Sequence, residues 1–320
     1  MKFAVLAAVV AYASASGVSL TAPEDRFLAE EELIEHVNSL PGNTWTAGVN
    51  DYHKGWTVDE IKFSMGTTVE SKGPKVYSEL DVADVINSLP KEYDARTEHG
   101  KCIHPVRNQG RCGSCWSFGA SEALSDRFCM AGHDVLLAPQ YLVSCDPVDL
   151  GCYGGQLFTV WGYMRFHGLP AESCDPYTSG ESEISGSCIE QCEDGTPIKF
   201  YKAKSVYPVV TWFDTEESAV QKMMAEIYKN GPIEAAYMVY QDFMSYKGGV
   251  YKYTKGPLMG GHAIKIVGWG TDEKQGDYWI VQNSWGADWG LDGFFWIEKG
   301  VNSCNIEANA WAGLPDVEDL

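Results

Sequence analysis

All ten cysteines of this 320-residue chain lie between Cys102 and Cys304, and the first hundred residues hold none. That distribution divides the chain before any other pattern does. It reads as a disulfide-bonded domain, made in an oxidising compartment, behind a cysteine-free leader. Cys112 and Cys115 sit inside Gln109-Gly110-Arg111-Cys112-Gly113-Ser114-Cys115-Trp116-Ser117-Phe118. A run from Trp116 to Met130 follows, free of proline, with Ala120, Ala123, Leu124 and Phe128 at helical spacing. Cys115 therefore falls at a helix start, where the helix dipole favours thiolate over thiol. A cysteine activated by a helix end and a protonated histidine titrates at roughly 3–4 instead of about 8.5. At ~1.4 kcal/mol per pKa unit, the difference is on the order of 6 kcal/mol. Taken alone, Cys-x-x-Cys has three readings: a site with a nucleophile, a redox dithiol using Cys112 and Cys115, or half a zinc site. The later Cys188-x₃-Cys192 pair is better used by disulfides and no histidine pair follows at zinc spacing, so no metal is expected.

The start of the chain is a targeting signal. Lys2 precedes an apolar run, Phe3–Ala13, that ends in small residues, as in a secretory signal peptide covering 1–16 with cleavage near Ala13 or Ala15. The run is too short to span a membrane and no later stretch qualifies, so no membrane span is expected. A formal net charge of −20 argues against a nucleic-acid partner, which would need a basic face. The remaining length is enough for more than one core.

Further along, Glu30–Asn38 has one apolar and one acidic face and predicts a helix. Ala138–Ser144 reads as a short helix with proline in its first turn, and Phe158–Phe166 as another. Glu216–Asn230 predicts a helix stopped by Gly231-Pro232. Strand-like runs then follow at Ile233–Val239, Gly249–Tyr253, His262–Gly268, Tyr278–Gln282 and Phe294–Ile297. A helix-rich first half and a strand-rich second half predict an α+β chain: a helical lobe, mostly 110–198, meets a barrel-like β lobe, mostly 199–312, at a cleft. Cys115 belongs to the first lobe and His262 to the second.

Several motifs together identify a family. Cys112-Gly113-Ser114-Cys115-Trp116 resembles the active-site signature of papain-like cysteine proteases. Gly260-Gly261-His262-Ala263-Ile264 resembles the family's histidine strand, and Asn283-Ser284-Trp285-Gly286 its asparagine turn. Met223-Met224-Ala225-Glu226-Ile227-Tyr228-Lys229-Asn230-Gly231-Pro232 resembles the cathepsin B branch. The resemblance implies the papain-like two-lobed fold and a catalytic set of Cys115, His262 and Asn283. It also implies Gln109 as oxyanion donor and Trp285 as a shield over the histidine–asparagine bond. Gly154-Gly155 would pair with an extended polypeptide substrate, with Gly261, Ala236, Ala263, Asn309 and, at the edge, Gln156-Leu157 lining subsites. The implied disulfides are Cys102–Cys129, Cys112–Cys152, Cys145–Cys188 and Cys174–Cys192, leaving Cys115 and Cys304 unpaired. His99, His104, His133 and His167 receive no role.

The resemblance also implies a zymogen. Residues 17–88 would be an inhibitory propeptide, with Trp45-Thr46-Ala47-Gly48 carrying its likeness, and 89–320 the peptidase domain, opening at Leu89-Pro90 and Glu92–Arg96. No cofactor is implied. Cystatin- or epoxide-type inhibitors, a monomer, and a lysosome- or vacuole-like compartment or secretion complete the expectation. Two departures stand out. Cathepsin B blocks one end of its cleft with an occluding loop bearing two adjacent histidines, which bind a substrate's C-terminal carboxylate. Here the corresponding Cys174–Cys192 segment is short and has no histidine, which predicts an endopeptidase with little peptidyl-dipeptidase activity. Where cathepsin B has a glutamate at the base of its S2 pocket, this chain has Asn309, which predicts an apolar P2 preference.

Overall fold

The computed structural model describes residues 30–320 apart from Asp319; the expected signal peptide, 1–16, lies outside the described residues. The leader forms α1 (Glu30–Ser39), β1 (Trp45–Ala47) and α2 (Val58–Ser64). β2 (Tyr93–Asp94) and α3 (Ala95–Glu98) follow, then α4 (Cys115–Met130), α5 (Pro139–Cys145), α6 (Leu157–Phe166) and α7 (Ser179–Ser182). The second half is β3 (Ala203–Pro208), α8 (Glu216–Asn230), β4 (Ile233–Tyr240), β5 (Tyr246–Tyr251), β6 (Leu258–Asp272), β7 (Gly276–Gln282), β8 (Phe294–Glu298) and β9 (Ala310–Pro315). The class is α+β, with a mixed sheet ordered β1-β5-β8-β7-β6-β4-β9-β3 and β2 beside β6. Only β5 and β8 pair in parallel among these ladders.

Local chemistry sets the helix ends. Thr215 caps α8 by accepting from the Ser218 N–H, and Gly231 ends it at φ 109°, a conformation that costs glycine little. In α2, Thr57 and Glu60 form a reciprocal capping box. Neither α2 nor β9 announces itself as a periodic run; β9 (Ala-Trp-Ala-Gly-Leu-Pro) becomes a strand because β3 and β4 flank it.

The helix α4 is buried on every side, from Cys115 through Cys129, rather than along one apolar stripe. It is the wall between the lobes, packing on α5 and α6 on one side and on β4, β6 and β9 on the other. A helix so placed must pair its charges. Arg127 bonds Glu226 at 2.8 Å and donates to the carbonyls of Gly231, Pro232 and Gly313. Asp126 takes Lys265 from β6 and His104 Nδ1, the latter at 2.7 Å. These pairs tie the lobes together at fixed register.

Two apolar cores result. One surrounds α4 with Trp116, Leu124, Phe128, Leu142 and Trp161. The other fills the β lobe with Tyr237, Phe243, Trp269, Trp279 and Phe295. The leader adds Val37, Trp45, Trp56, Ile61 and Met65 to the second core, so it is seated by hydrophobic burial as well as by polar contacts. β1 also extends the sheet at β5, pairing Trp45 with Gly249. Four disulfides are present: Cys102–Cys129, Cys112–Cys152, Cys145–Cys188 and Cys174–Cys192. Cys115 and Cys304 are free.

Candidate active site

Cys115 is the first residue of α4, and its side chain is fully buried. Its Sγ accepts from the Gly66 N–H at 3.3 Å, and the backbone N–H groups of Ala263 and Trp116 also point at it. The contact with Ala263 brings the thiol of the helical lobe against β6, next to His262. His262 Nε2 lies 2.8 Å from Asn283 Oδ1, and its ring stacks on Trp285 at 4.8 Å between centroids. With Nε2 engaged, Nδ1 is the nitrogen left to face the thiol; it is buried and has no hydrogen-bond partner. Asn283 stands in a turn after β7, held by its N–H to the Gly293 carbonyl at 3.0 Å. Trp285, 1 % exposed, closes the histidine–asparagine bond off from water, which strengthens it.

Gln109 is buried beside this set. Ser284 Oγ donates to its Oε1 at 2.6 Å, fixing which way the carboxamide faces. Its Nε2 donates to the Ser64 carbonyl of the leader at 2.9 Å and to the Cys112 carbonyl at 3.0 Å. Ser284 was not singled out by sequence reading, since nothing in an Asn-Ser-Trp turn says that the serine will orient a glutamine 175 residues away.

The leader lies across this centre. The Gly66 carbonyl accepts from the Gly155 N–H at 2.9 Å, Thr67 Oγ1 donates to the Gly155 carbonyl at 2.8 Å, and the Thr67 N–H donates to the Gly261 carbonyl at 3.2 Å. Gly155 and Gly261 thus both offer backbone to an extended chain. Gly154 does not: its N–H goes to the Gly151 carbonyl. A side chain at Gly154 would meet the Gly66 carbonyl, so it supplies clearance. Gly66 itself has no room for a Cβ, which would lie 1.9 Å from the Gly113 carbonyl oxygen. Gly260 and Gly261 lie inside β6, where the close approach of the leader, through Met65 and the Thr67 carbonyl, leaves no room for a Cβ.

Ala236 and Ala263 face each other across β4 and β6 and are buried beneath the cleft. Val69 of the leader packs on their cluster, and the Ala236 N–H donates to the Asn309 carbonyl at 3.0 Å. Asn309, Gln156 and Leu157 line a cavity of about 200 Å³ with Glu70 and Trp311. At the other arm of the cleft, Tyr52 stacks on Trp285 with an interplanar angle of 12°, and His53 meets the same indole edge-on at 4.8 Å.

Electrostatics differ from the sequence expectation in one respect. Burial pushes the Cys115 thiol up to about 11, against which the backbone N–H groups at its sulfur work in the opposite direction. Burial also pulls His262 down to about 4, opposed by its bond to Asn283. Under the leader the pair is therefore neutral thiol and neutral imidazole, not thiolate and imidazolium. The helix dipole expected to ionise Cys115 is outweighed by desolvation once the cleft is covered.

Comparison with known proteins agrees with this geometry. The sequence profile described as papain family cysteine protease matches residues 89–314. Cathepsin B-like CP2 of Giardia intestinalis is 38 % identical over 286 residues, covering 88 % of this chain and 93 % of that protein. Cathepsin B-like protease 1 of Arabidopsis thaliana is 36 % identical, with 92 % and 85 % covered. Among solved structures, proCathepsin B S9 from Trypanosoma congolense superposes with a TM-score of 0.79 at 30 % identity, over 90 % of this chain and 98 % of that one. Recombinant stem bromelain precursor gives a TM-score of 0.72 at 26 % identity, over 92 % and 90 %. On these grounds the chain belongs to the papain family of cysteine proteases, and its likeness lies with the cathepsin B-like members.

Proposed function

We propose that the chain is a cysteine endopeptidase made as a zymogen, with 17–88 as its inhibitory propeptide and 89–320 as the enzyme. The observation that carries this is the meeting of Cys115, His262, Asn283 and Gln109 under a leader strand that presents an N–H to the thiol. In the working enzyme, Cys115 Sγ as thiolate bonds to the scissile carbonyl carbon. The C–N bond then breaks as imidazolium His262 gives its proton to the leaving amine. Water, deprotonated by His262, displaces the thiolate from the acyl-enzyme. Asn283 holds the ring, while Gln109 Nε2 and the Cys115 N–H take the oxyanion; by analogy, losing one such donor costs roughly 3–4 kcal/mol.

The leader resists this chemistry because of its direction. Residues 67–70 lie toward Ala236, Ala263 and Asn309, the side proposed for P2, so the strand runs opposite to a substrate. The thiol meets the Gly66 amide N–H, and Gln109 holds the Ser64 carbonyl instead of an oxyanion. Cys112 is bridged to Cys152, which leaves no dithiol for oxidoreductase chemistry. The Cys174–Cys192 segment has no histidine and supports an open departing side with little dipeptide release. Asn309 supports an apolar P2 over arginine. Passage through the secretory pathway, then an acidic lysosome- or vacuole-type compartment or secretion, fits residues 1–16 and the disulfides, and we take the enzyme to act as a monomer open to cystatin- or epoxide-type inhibitors.

The test is hydrolysis of fluorogenic P2-Leu and P2-Arg dipeptide amides at pH 5–6 after leader removal. Wild type is expected to favour P2-Leu, with activity lost in Cys115→Ala and under an epoxide inhibitor. Inactive processed wild type would sink the peptidase reading; a P2-Arg preference would sink the S2 assignment; sequential dipeptide release at the endopeptidase rate would sink the open-cleft reading.

A further inference from the structure

Beyond the reacting atoms, the arm of the cleft near Trp285 opens into a cavity of about 670 Å³ between the leader and the Tyr177–Glu183 segment. Among the residues lining it, Arg111 is the sole cation. Its base is fixed: the Arg111 N–H donates to the Gly180 carbonyl at 3.0 Å. Its guanidinium bonds Glu60 of the leader at 2.7 Å, lies 5.1 Å over the Trp56 ring, and stands 3.7 Å from Glu183. Two of those three partners leave with the leader. The one that stays, Glu183, is the more distant carboxylate and more than half exposed.

Position follows from the leader's own geometry. Glu60 is six residues before Gly66, which sits on Cys115, and most of that interval is α2. At ~1.5 Å per helical residue the interval covers roughly 9 Å. An extended substrate at ~3.3 Å per residue reaches as far in about three residues. Arg111 therefore faces the second or third substrate residue past the scissile bond.

We infer that Arg111 is a specificity-determining residue that receives a substrate carboxylate on the departing side, where the leader places Glu60. This rests on the peptidase reading above. A planar guanidinium matches a carboxylate by paired hydrogen bonds. On the open departing side proposed above, the carboxylate is an Asp or Glu side chain; a peptide's C-terminus in its place would mean dipeptide release and would overturn the open-cleft reading. Arg111 lies against the histidine-free segment, through Gly180 and Glu183, and supplies a cation beside it. Glu181, Glu183 and Asp288 also line the cavity, so they compete for the arginine and repel an acidic substrate.

The experiment uses the leader-free enzyme and internally quenched peptides with Glu or Gln at the second or third position past the scissile bond. A parallel pair ends at that position as free acid or amide. The expected result is at least a fivefold higher kcat/KM for Glu over Gln at one position. That ratio falls to about one in Arg111→Gln and shrinks as salt rises, while the neutral peptide is cleaved alike by both proteins. Glu183→Gln is expected to raise the ratio. The same effect for acid over amide instead would name a C-terminus as the source and overturn the open-cleft reading. Ratios that are the same in wild type and Arg111→Gln overturn the proposal. Failure of wild type to cleave even the neutral peptides overturns the peptidase reading and this proposal with it.

Discussion

The two arms of the cleft hold the same leader by different means. On the Gly155 side, contact is mainly through backbone: Gly66 and Thr67 pair with Gly155 and Gly261 as an added strand would, with the Thr67 and Thr68 hydroxyls adding bonds to Gly155 and Gln156. On the Trp285 side, contact is through side chains: Tyr52 and His53 against the indole, and Arg111 between Glu60 and Trp56. Backbone pairing tolerates many side chains but not a change of backbone clearance. Side-chain recognition tolerates backbone variation but depends on charge and pH. On the proposed peptidase reading, the first arm would accept diverse chains and the second would discriminate among them.

The largest effect should come from the backbone arm. In Gly66→Ala, the new Cβ meets the Gly113 carbonyl, a contact of 1.9 Å that neither backbone can relieve cheaply. Overpacking of about 3 kcal/mol should weaken inhibition by the 17–88 peptide on the order of a hundredfold. An unchanged inhibition constant would mean that the strand does not sit over Cys115.

The next effect belongs to the side-chain arm. His53 is buried among Tyr52, Trp56 and Trp285, and neither ring nitrogen has a partner. Burial, reinforced by the nearby His262, lowers it to about 3. The docked leader therefore binds fewer protons than the free one, whose histidine titrates near ~6.5. Docking is at full strength above that pH and weakens as pH falls toward 3. At pH 5 His53 alone should loosen docking by about thirtyfold relative to pH 8. His53→Phe should remove that part of the pH dependence while keeping the aromatic packing. An inhibition constant whose pH profile is identical in the variant would mean that docking does not suppress protonation of His53.

Smaller still is Glu60→Gln. Both partners of the Arg111–Glu60 pair are more than a third exposed, so solvent screens it. A loss of ~0.5 kcal/mol, about twofold in inhibition constant and absent at high salt, is expected. Smallest is Thr68→Val, which removes an exposed bond to Gln156 on the backbone arm. Its effect on leader inhibition should stay within about twofold at any salt concentration. A larger effect there than at Glu60 would invert the assignment of the two arms.

Most of the long helices and strands are legible in the sequence, whereas α2 and β9 are not. The period of Trp116–Met130 and the stop at Gly231-Pro232 follow from local propensity, which is why α4 and α8 are legible without a structure. Cys115, His262 and Asn283 are legible as a set through the family motifs that carry them, and their residue types suit the proposed nucleophile, base and orienter. Tertiary structure alone decided what surrounds them. That α4 is buried all round, with Arg127 and Asp126 paired across lobes, depends on partners far away in the chain. So do Ser284 turning Gln109, Gly154 giving clearance while Gly155 pairs, and Arg111 standing over Trp56. The protonation of the dyad is the sharpest case: a helix start favours thiolate, yet burial beneath residues 64–67 reverses the balance. Desolvation is set by which atoms exclude water, and no local pattern of residues records that.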